Sequence, residues 1–393
     1  MTGSSIQTGV LIIGAGYAGR YAAARLHSRD ADLRVVVVEP NDFELHRTRS
    51  QQHAAGDRLS ERRLTRCLPP NARHIRAFAT QLDPERRRCL VRSINPDSSE
   101  HATISVDFQA VIVATGSRAR VLDNDGSIPC LGVDDRTLRE HTGEAERIAV
   151  VGAGLSGVEM ASELAEQTDA RIELVAPQVL PSASQKASGH ARTFFEDYGV
   201  ALTEVRADCV RDGELVLENG ERLRVDAVVS AIGFEPTRPE LTTGYGGPQD
   251  LTAHLNLDAY PRVFFAGDAS GQLMRNRAFA PSCALSMPMG IHAAENVVRL
   301  LRGRTLQPLD FGVVTRFISL GRHDGIIDFK YRDGRSTGRA WTGRIAAVAK
   351  ERILRMTEWA LTLELKTRLP IYDWPKGQEA SARDAAVAAG GQS

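Results

Sequence analysis

Two ten-residue stretches of this chain repeat one pattern. Val10-Leu11-Ile12-Ile13-Gly14-Ala15-Gly16-Tyr17-Ala18-Gly19 and Ile148-Ala149-Val150-Val151-Gly152-Ala153-Gly154-Leu155-Ser156-Gly157 each run an apolar segment into G-x-G-x-x-G. The chemistry such a turn supports is phosphate binding. A buried parallel strand turns sharply into a helix whose N-terminal amides and dipole receive a pyrophosphate, and side chains at the glycines would block its approach. One copy alone is a weak signal in a chain with 34 glycines, and its plain reading is an ordinary strand-turn-helix. Context strengthens the first copy. A helical pattern (Tyr21, Ala24, Arg25, Leu26) follows, then Arg34-Val35-Val36-Val37-Val38-Glu39, an apolar strand ending in an acid 25 positions after Gly14. That is near the separation expected for a carboxylate on a ribose hydroxyl. Two nucleotide sites on one polypeptide point to electrons passing between two cofactors.

Other reactive side chains are sparse. Cys67, Cys89, Cys130, Cys209 and Cys283 are odd in number and contain no C-x-x-C pair, which favours a reducing compartment over a disulfide framework. His46, His53 and His323 are candidates for proton supply, although single histidines are more often structural or at the surface. No metal site is expected. Lysine plus arginine equals aspartate plus glutamate at 49 each, so nothing global points to nucleic acid. Residues 1 to 7 lack a basic segment and an apolar core, and no stretch approaches the roughly 20 apolar residues of a membrane span. A cytoplasmic location is the expectation, with membrane-peripheral contact left open.

The elements that must hold these residues alternate strand and helix, which implies an α/β fold with two Rossmann-like dinucleotide-binding units. Antiparallel β-meander insertions interrupt each: residues 86 to 106 around Asn95-Pro96-Asp97-Ser98-Ser99, covering the first sheet, and residues 214 to 223 with an Asn219-Gly220 turn. Pro261 to Asp268 supplies a late strand that should return to the first unit. The expected division is 1–118 with 258–318 for the first unit, 119–257 for the second, and 319–377 for a small C-terminal hairpin and helix, leaving 378–393 as a disordered tail. The hairpin, Phe317 to Phe329, should turn at Asp324-Gly325. From residue 340 to 366 one long helix is expected, with Ile345, Val348, Ile353, Met356, Ala360 and Leu363 on one stripe. Arg344, Lys350, Glu351, Arg355 and Glu358 lie largely away from it. That stripe would pack on the protein or on a second copy in a homodimer, or lie on a membrane surface.

With these motifs in place, the chain resembles the type II NADH dehydrogenase-like branch of the FAD-dependent pyridine nucleotide-disulfide oxidoreductase superfamily. The likeness covers residues 9 to about 330 and rests on the paired glycine motifs, the Ala114-Thr115-Gly116 and Ala231-Ile232-Gly233 turns, and Ala266-Gly267-Asp268. Ile318-Ser319-Leu320-Gly321-Arg322 narrows it to the dehydrogenase branch. The resemblance implies an FAD enzyme that takes hydride from NADH or NADPH and passes electrons to a quinone or another organic acceptor. A specialised oxidoreductase acting on one secondary metabolite is the alternative, and a non-catalytic redox-sensing flavoprotein a third reading.

It also implies a site. Gly14, Gly16, Tyr17, Ala18 and Gly19 would cradle FAD, with Glu39 and Pro40 at the adenosine ribose, Ala79 beside the adenine, and Gly267 and Asp268 at the ribityl chain. Arg47 or Arg49 would contact FAD, and Thr115, Gly116 and Gly233 would form small-residue turns beside the cofactors. Gly152, Gly154, Leu155, Ser156 and Gly157 would receive the nicotinamide coenzyme, and Glu159 would orient its carboxamide or relay a proton. Met287, with Leu285 and Met289, would line an acceptor pocket. Plainer readings stand beside several of these: Asp268 as a helix cap, Glu159 as a first-turn acid favoured by the helix dipole, the methionines as core. Two departures bear on chemistry. The strand Arg171 to Val175 ends at Ala176, where NADH enzymes of this branch carry an acid, and no arginine replaces it. Ala284 and Pro288 stand where quinone-reducing members carry glutamines.

Overall fold

The computed structural model describes residues 5–44, 46–57, 62–94, 102–242, 251–271 and 282–377. The expected tail, 378–393, and the turn at residues 95–99 lie outside these. The opening strand β1 (Ser5–Ile13) pairs in parallel with β2 (Val35–Val38) on one side and with the strand Thr103–Val113 on the other. Buried on both faces, these strands need continuous apolar runs, and Val10, Leu11, Ile12 and Val37 are fully buried. After β3 (Ala72–Ile75), β4 (Ala77–Asp83) and β5 (Arg88–Ser93) run antiparallel into the long strand, here β6. The meander expected to cover the sheet therefore extends it, because β6 is one continuous strand whose first half pairs with β5 while its second half lies in the parallel core. The late strand Val263–Phe265 pairs with β6, and Glu240–Leu241 adds an edge to β4.

The second sheet is parallel, in the order Ala201–Thr203, Arg171–Val175, Arg147–Val151, Ala227–Ser230, Cys130–Gly132. Its meander, Ala207–Arg211, Glu214–Leu217 and Arg222–Arg224, turns at Gly220 with φ of 85°. The helices are α1 (Tyr17–Arg29), α2 (Ser50–Ala54), α3 (Leu138–Thr142), α4 (Leu155–Gln167), α5 (Gln185–Asp197), α6 (Cys283–Leu301) and α7 (Arg344–Thr367). Helix α6 crosses α1 in backbone contact, since a Cβ at Gly290 would lie 2.1 Å from the Ala18 carbonyl oxygen.

The C-terminal region departs from expectation in three ways. Strands Thr315–Leu320 and Asp324–Lys330 turn at Gly321 to His323, with Gly321 at φ 59°, and not at Asp324-Gly325. Gly325 instead allows a close approach: a Cβ there would sit 3.0 Å from both the Ile318 carbonyl oxygen and the Ala347 amide. A third strand, Ser336–Thr342, occupies the start of the expected helix, so α7 begins only at Arg344. Finally, only part of the expected apolar stripe of α7 packs inward: Ala360 is buried, Ile353 and Leu363 are half-buried, and the neighbouring Leu361 joins an apolar cluster with Tyr21, Ala24 and Ile291. Ile345, Val348 and Met356 are exposed, while Glu351, Glu358 and Glu364 face the first unit through Arg49, Arg20 with Arg62, and Arg25. The cause lies in α1, whose outward residues Arg20 and Arg25 make a cationic docking surface that an apolar stripe would leave unpaired. The exposed stripe is flanked by Trp341 and Trp359, also exposed.

Candidate functional site

The two glycine turns repeat the same three functions. Gly14, at φ 99°, makes the strand-to-helix turn, and a Cβ there would lie 2.4 Å from the Ala114 carbonyl oxygen. Gly19 permits the helix to lie on the turn, since its Cβ would meet the Gly14 carbonyl oxygen at 2.0 Å, whereas a Cβ at Gly16 would meet nothing within 4 Å. In the second copy Gly152 has φ of 100° and would clash with the Ala231 carbonyl oxygen at 2.5 Å, Gly157 would clash with the Gly152 carbonyl oxygen at 1.7 Å, and Gly154 opens to free space. Gly16 and Gly154 are N-caps without a side-chain acceptor, and neither helix has an acid in its first turn. The leading amides are therefore available to an anion.

A cavity of about 730 Å³ starts at the first turn. Gly14, Gly16, Tyr17, Ala18, Glu39 and Pro40 form one end, and Arg47, Ala79, Thr115, Gly116, Gly267 and Asp268 continue the wall. Leu155 and Ser156 bring in the first turn of α4, Glu159 the start of its second turn and so not the first-turn acid expected, and Met287 the start of α6. Six expected site residues lie outside this wall. Gly19 and Gly157 are packed against backbone, Gly152 makes its turn, Gly154 stands next to the wall residues Leu155 and Ser156 with open space where a Cβ would sit, Met289 is buried in the core, and the Gly233 carbonyl accepts the Arg120 amide at 2.9 Å.

Glu39 does more than terminate β2. Its Oε2 accepts the Ala15 amide at 2.9 Å and its Oε1 accepts from Asn41 Nδ2 at 2.6 Å, so the carboxylate ties the strand end to the glycine turn while keeping acceptor capacity on the cavity side. Asp268 Oδ2 accepts from the Ser117 hydroxyl at 2.7 Å. Of the two arginines, Arg47 lines the cavity and pairs with Asp134 at 3.2 Å, whereas Arg49 turns away to Glu351 at 2.9 Å. Ala284, Leu285 and Ser286 place the N-terminal end of α6 in the wall, where its dipole favours negative charge. Pro288, inside α6, has no N–H to donate to the Ala284 carbonyl.

Several wall residues escaped the sequence. Lys350, Ile353, Leu354 and Thr357 of α7 close the cavity, and Phe234, Arg238 and Arg316 also reach it. Glu159 Oε1 accepts the Ser319 amide at 3.0 Å and is ion-paired with Lys350 Nζ. The only sequence hint was a charge recurring beside the apolar stripe of α7, with nothing to say which element it would meet. The expected proton carriers are elsewhere: His46 bonds Glu44 at 2.7 Å, the His53 Nδ1 lies 3.1 Å from the Asp57 carbonyl oxygen, and no histidine is among the wall residues described. Burial pushes the thiols up, Cys67 and Cys130 to about 11 and Cys89 to about 12, which keeps them protonated and unreactive at neutral pH. Among the described residues, no group of three or more His, Cys, Asp or Glu is arranged to hold a metal.

The open Gly16, the anchored Glu39 and a long polar-ended cavity suit an extended dinucleotide with an aromatic ring system. Comparison with known proteins agrees. An NADH dehydrogenase-like protein of Mycobacterium tuberculosis is 28% identical, over 80% of this chain and 86% of its own length. The type II NADH:quinone oxidoreductase of Staphylococcus aureus is 23% identical over 87% of this chain and 93% of its own. The fold is shared with NDH2 of Plasmodium falciparum, solved in complex with NADH, at a TM-score of 0.74, 11% identity and coverage of 92% and 97% of the two chains. Residues 8–294 match the pyridine nucleotide-disulphide oxidoreductase family; the chain belongs to that family and is an NAD(P)H oxidoreductase.

Proposed function

We propose that this chain is an FAD enzyme that oxidises NADH or NADPH at its second glycine turn and reduces a quinone or another planar organic acceptor. The observation that carries this reading is a single cavity joining the Gly14 turn, the first turn of α4 and the N-terminus of α6. Gly16, Glu39, Arg47, Ala79 and Asp268 would hold FAD, and Leu155 and Ser156 would meet the coenzyme. Bound FAD supplies a two-electron acceptor that hands electrons on. The protein's own contribution is to orient both partners, to keep water out with the apolar side chains of Leu285, Met287, Ile353 and Leu354, and to place the Glu159–Lys350 pair beside the reacting region. Ala176, 8% exposed, offers neither the acid nor the base that would select between the coenzymes.

A lipophilic acceptor is supported by the outer face of α7, where Ile345, Val348, Met356 and Trp359 are exposed beside Arg344, Arg352 and Arg355, a pattern suited to a membrane surface. Among the described residues no helix is long and apolar enough to cross a membrane. The test is anaerobic. Purified protein mixed with NADH or NADPH should lose its yellow flavin absorbance, and a ubiquinone or menaquinone analogue should restore it. No bleaching with either coenzyme sinks the oxidoreductase; bleaching without recovery by quinone turns the reading to a specialised organic acceptor.

Glu159→Gln preserves an acceptor for the Ser319 amide but removes the charge opposite Lys350. Flavin content should be unchanged, and stopped-flow reduction by coenzyme should slow about tenfold, roughly 1.4 kcal/mol. Combined with Lys350→Met the losses should fall short of additive, because each variant breaks the same pair. A wild-type reduction rate for Glu159→Gln would remove the residue from the mechanism.

A further inference from the structure

The strand Thr315–Leu320 runs alongside α4. Arg322 pairs with Glu163 well along the helix, and Ser319 meets the adjacent Ser162 and, one turn nearer the helix start, Glu159. Continuing three residues along the strand, about 10 Å, carries Arg316 past the N-terminus of α4 and into the cavity wall shared with Leu155 and Ser156.

A second element meets it there. After the strand Arg171–Val175 the chain folds back over the second glycine turn, the Leu180 amide donating to the Ala153 carbonyl at 2.8 Å. Ser182 of this loop accepts Arg316 Nη1 on its hydroxyl at 2.8 Å and Lys330 Nζ on its carbonyl at 2.9 Å. The nearby carboxylate, Asp328, is already taken by Lys330 at 2.6 Å, both side chains being buried. Among the described residues Arg316 has no carboxylate partner in an ion pair, so the region carries one surplus positive charge facing the cavity. Burial outweighs the attraction of Asp328 on the facing strand and pulls the Arg316 guanidinium below its ordinary pKa. An anionic ligand would reverse that penalty.

We propose that Arg316 binds the pyrophosphate of the nicotinamide coenzyme, closing on it from the C-terminal hairpin opposite the amides of the second glycine turn. This rests on the reading of that turn as the coenzyme site. It makes the hairpin part of the binding site, and it makes the contact indifferent to the 2′-phosphate, since pyrophosphate is common to NADH and NADPH.

The test measures equilibrium binding of NAD⁺, NADP⁺ and ADP-ribose to the flavin-loaded protein by calorimetry, alongside flavin reduction kinetics. Arg316→Ala should weaken all three by a similar factor of about tenfold or more. KM should rise for both reduced coenzymes with kcat little changed, and Arg316→Lys should recover much of the loss. Ser182→Ala, which frees the guanidinium from the loop but keeps its charge, should stay within about twofold of wild type. Arg316→Gln serves if the alanine variant does not fold. Unchanged affinities overturn the proposal, as does a loss confined to NADP⁺, which would place Arg316 at the 2′-phosphate. A Ser182→Ala loss equal to that of Arg316→Ala also overturns it, because the arginine would then only tether the loop. A wild-type protein that neither binds nor is reduced by either coenzyme would instead refute the coenzyme site itself.

Discussion

Gly157→Val should abolish flavin reduction by either coenzyme while the purified protein stays yellow. A Cβ at this position would fall 1.7 Å from the carbonyl oxygen of Gly152, and no side-chain rotation relieves a contact with backbone. The first turn of α4 must shift off the strand Arg147–Val151, and the leading amides of the helix, proposed to receive the coenzyme pyrophosphate, shift with it. The first glycine turn belongs to a different sheet and is left intact. Gly154→Ala separates misfolding from blocked binding. Its Cβ meets no protein atom within 4 Å, so the melting temperature should match wild type, while kcat/KM for coenzyme should fall about 100-fold, roughly 2.7 kcal/mol, because the methyl occupies space the phosphate needs. A Gly154→Ala enzyme with wild-type kinetics would mean that the second turn binds no dinucleotide.

The second large effect concerns the seam between α1 and α7. Arg20, with no exposed surface, pairs with Glu44 at 2.5 Å and with Glu358 at 3.4 Å, and Arg62 bridges the same two acids at 2.9 and 3.2 Å. Removing Glu44 leaves the buried Arg20 with only its longer contact to the partly exposed Glu358, so Glu44→Ala should cost about 3 kcal/mol in urea unfolding at neutral pH. The pH dependence has a definite sign. Burial works to raise the Glu44 pKa, but hydrogen bonds from His46 and Arg62 and the charge of Arg20 outweigh it and hold it at about 2, against an ordinary value of 4.5. A depressed carboxylate stabilises the fold fully above the unfolded pKa and loses that contribution as pH falls toward the folded one. The stability gap between wild type and Glu44→Gln should therefore be constant above about pH 5 and close between pH 4.5 and 2. A gap that persists unchanged at pH 2 would show that Glu44 acts through packing alone.

How far the site could be read beforehand depends on the kind of contact involved. Gly14, Gly16 and Glu39 are legible because the turn, the open approach and the strand-end acid all lie within one β-α-β stretch. Asp268 is legible because it ends an apolar strand in the same way. Glu159 is visible as a position, but its partner is not: Lys350 is 191 residues away, and the apolar pattern of α7 argued for the opposite face. The misplaced hairpin turn has a similar origin. Asp324-Gly325 has the composition of a turn, yet Gly325 is small because α7 crosses above it, a requirement set by a helix some twenty residues later.

Residue pattern along the chain was enough for the two glycine turns, the parallel strands feeding them and the family to which the chain belongs, since each depends on neighbours close in sequence. The tertiary structure alone decided that α7 docks through its acids together with Leu361, that Lys350 meets Glu159, and that Arg316 reaches the cavity wall shared with Leu155 and Ser156. The physical reason is that a helix chooses its buried face by what its docking surface offers. Here α1 offers Arg20 and Arg25 beside Tyr21 and Ala24, so α7 docks with its acids and Leu361 inward and leaves Ile345, Val348 and Met356 exposed, while Ile353 of the same stripe lines the cavity with Lys350.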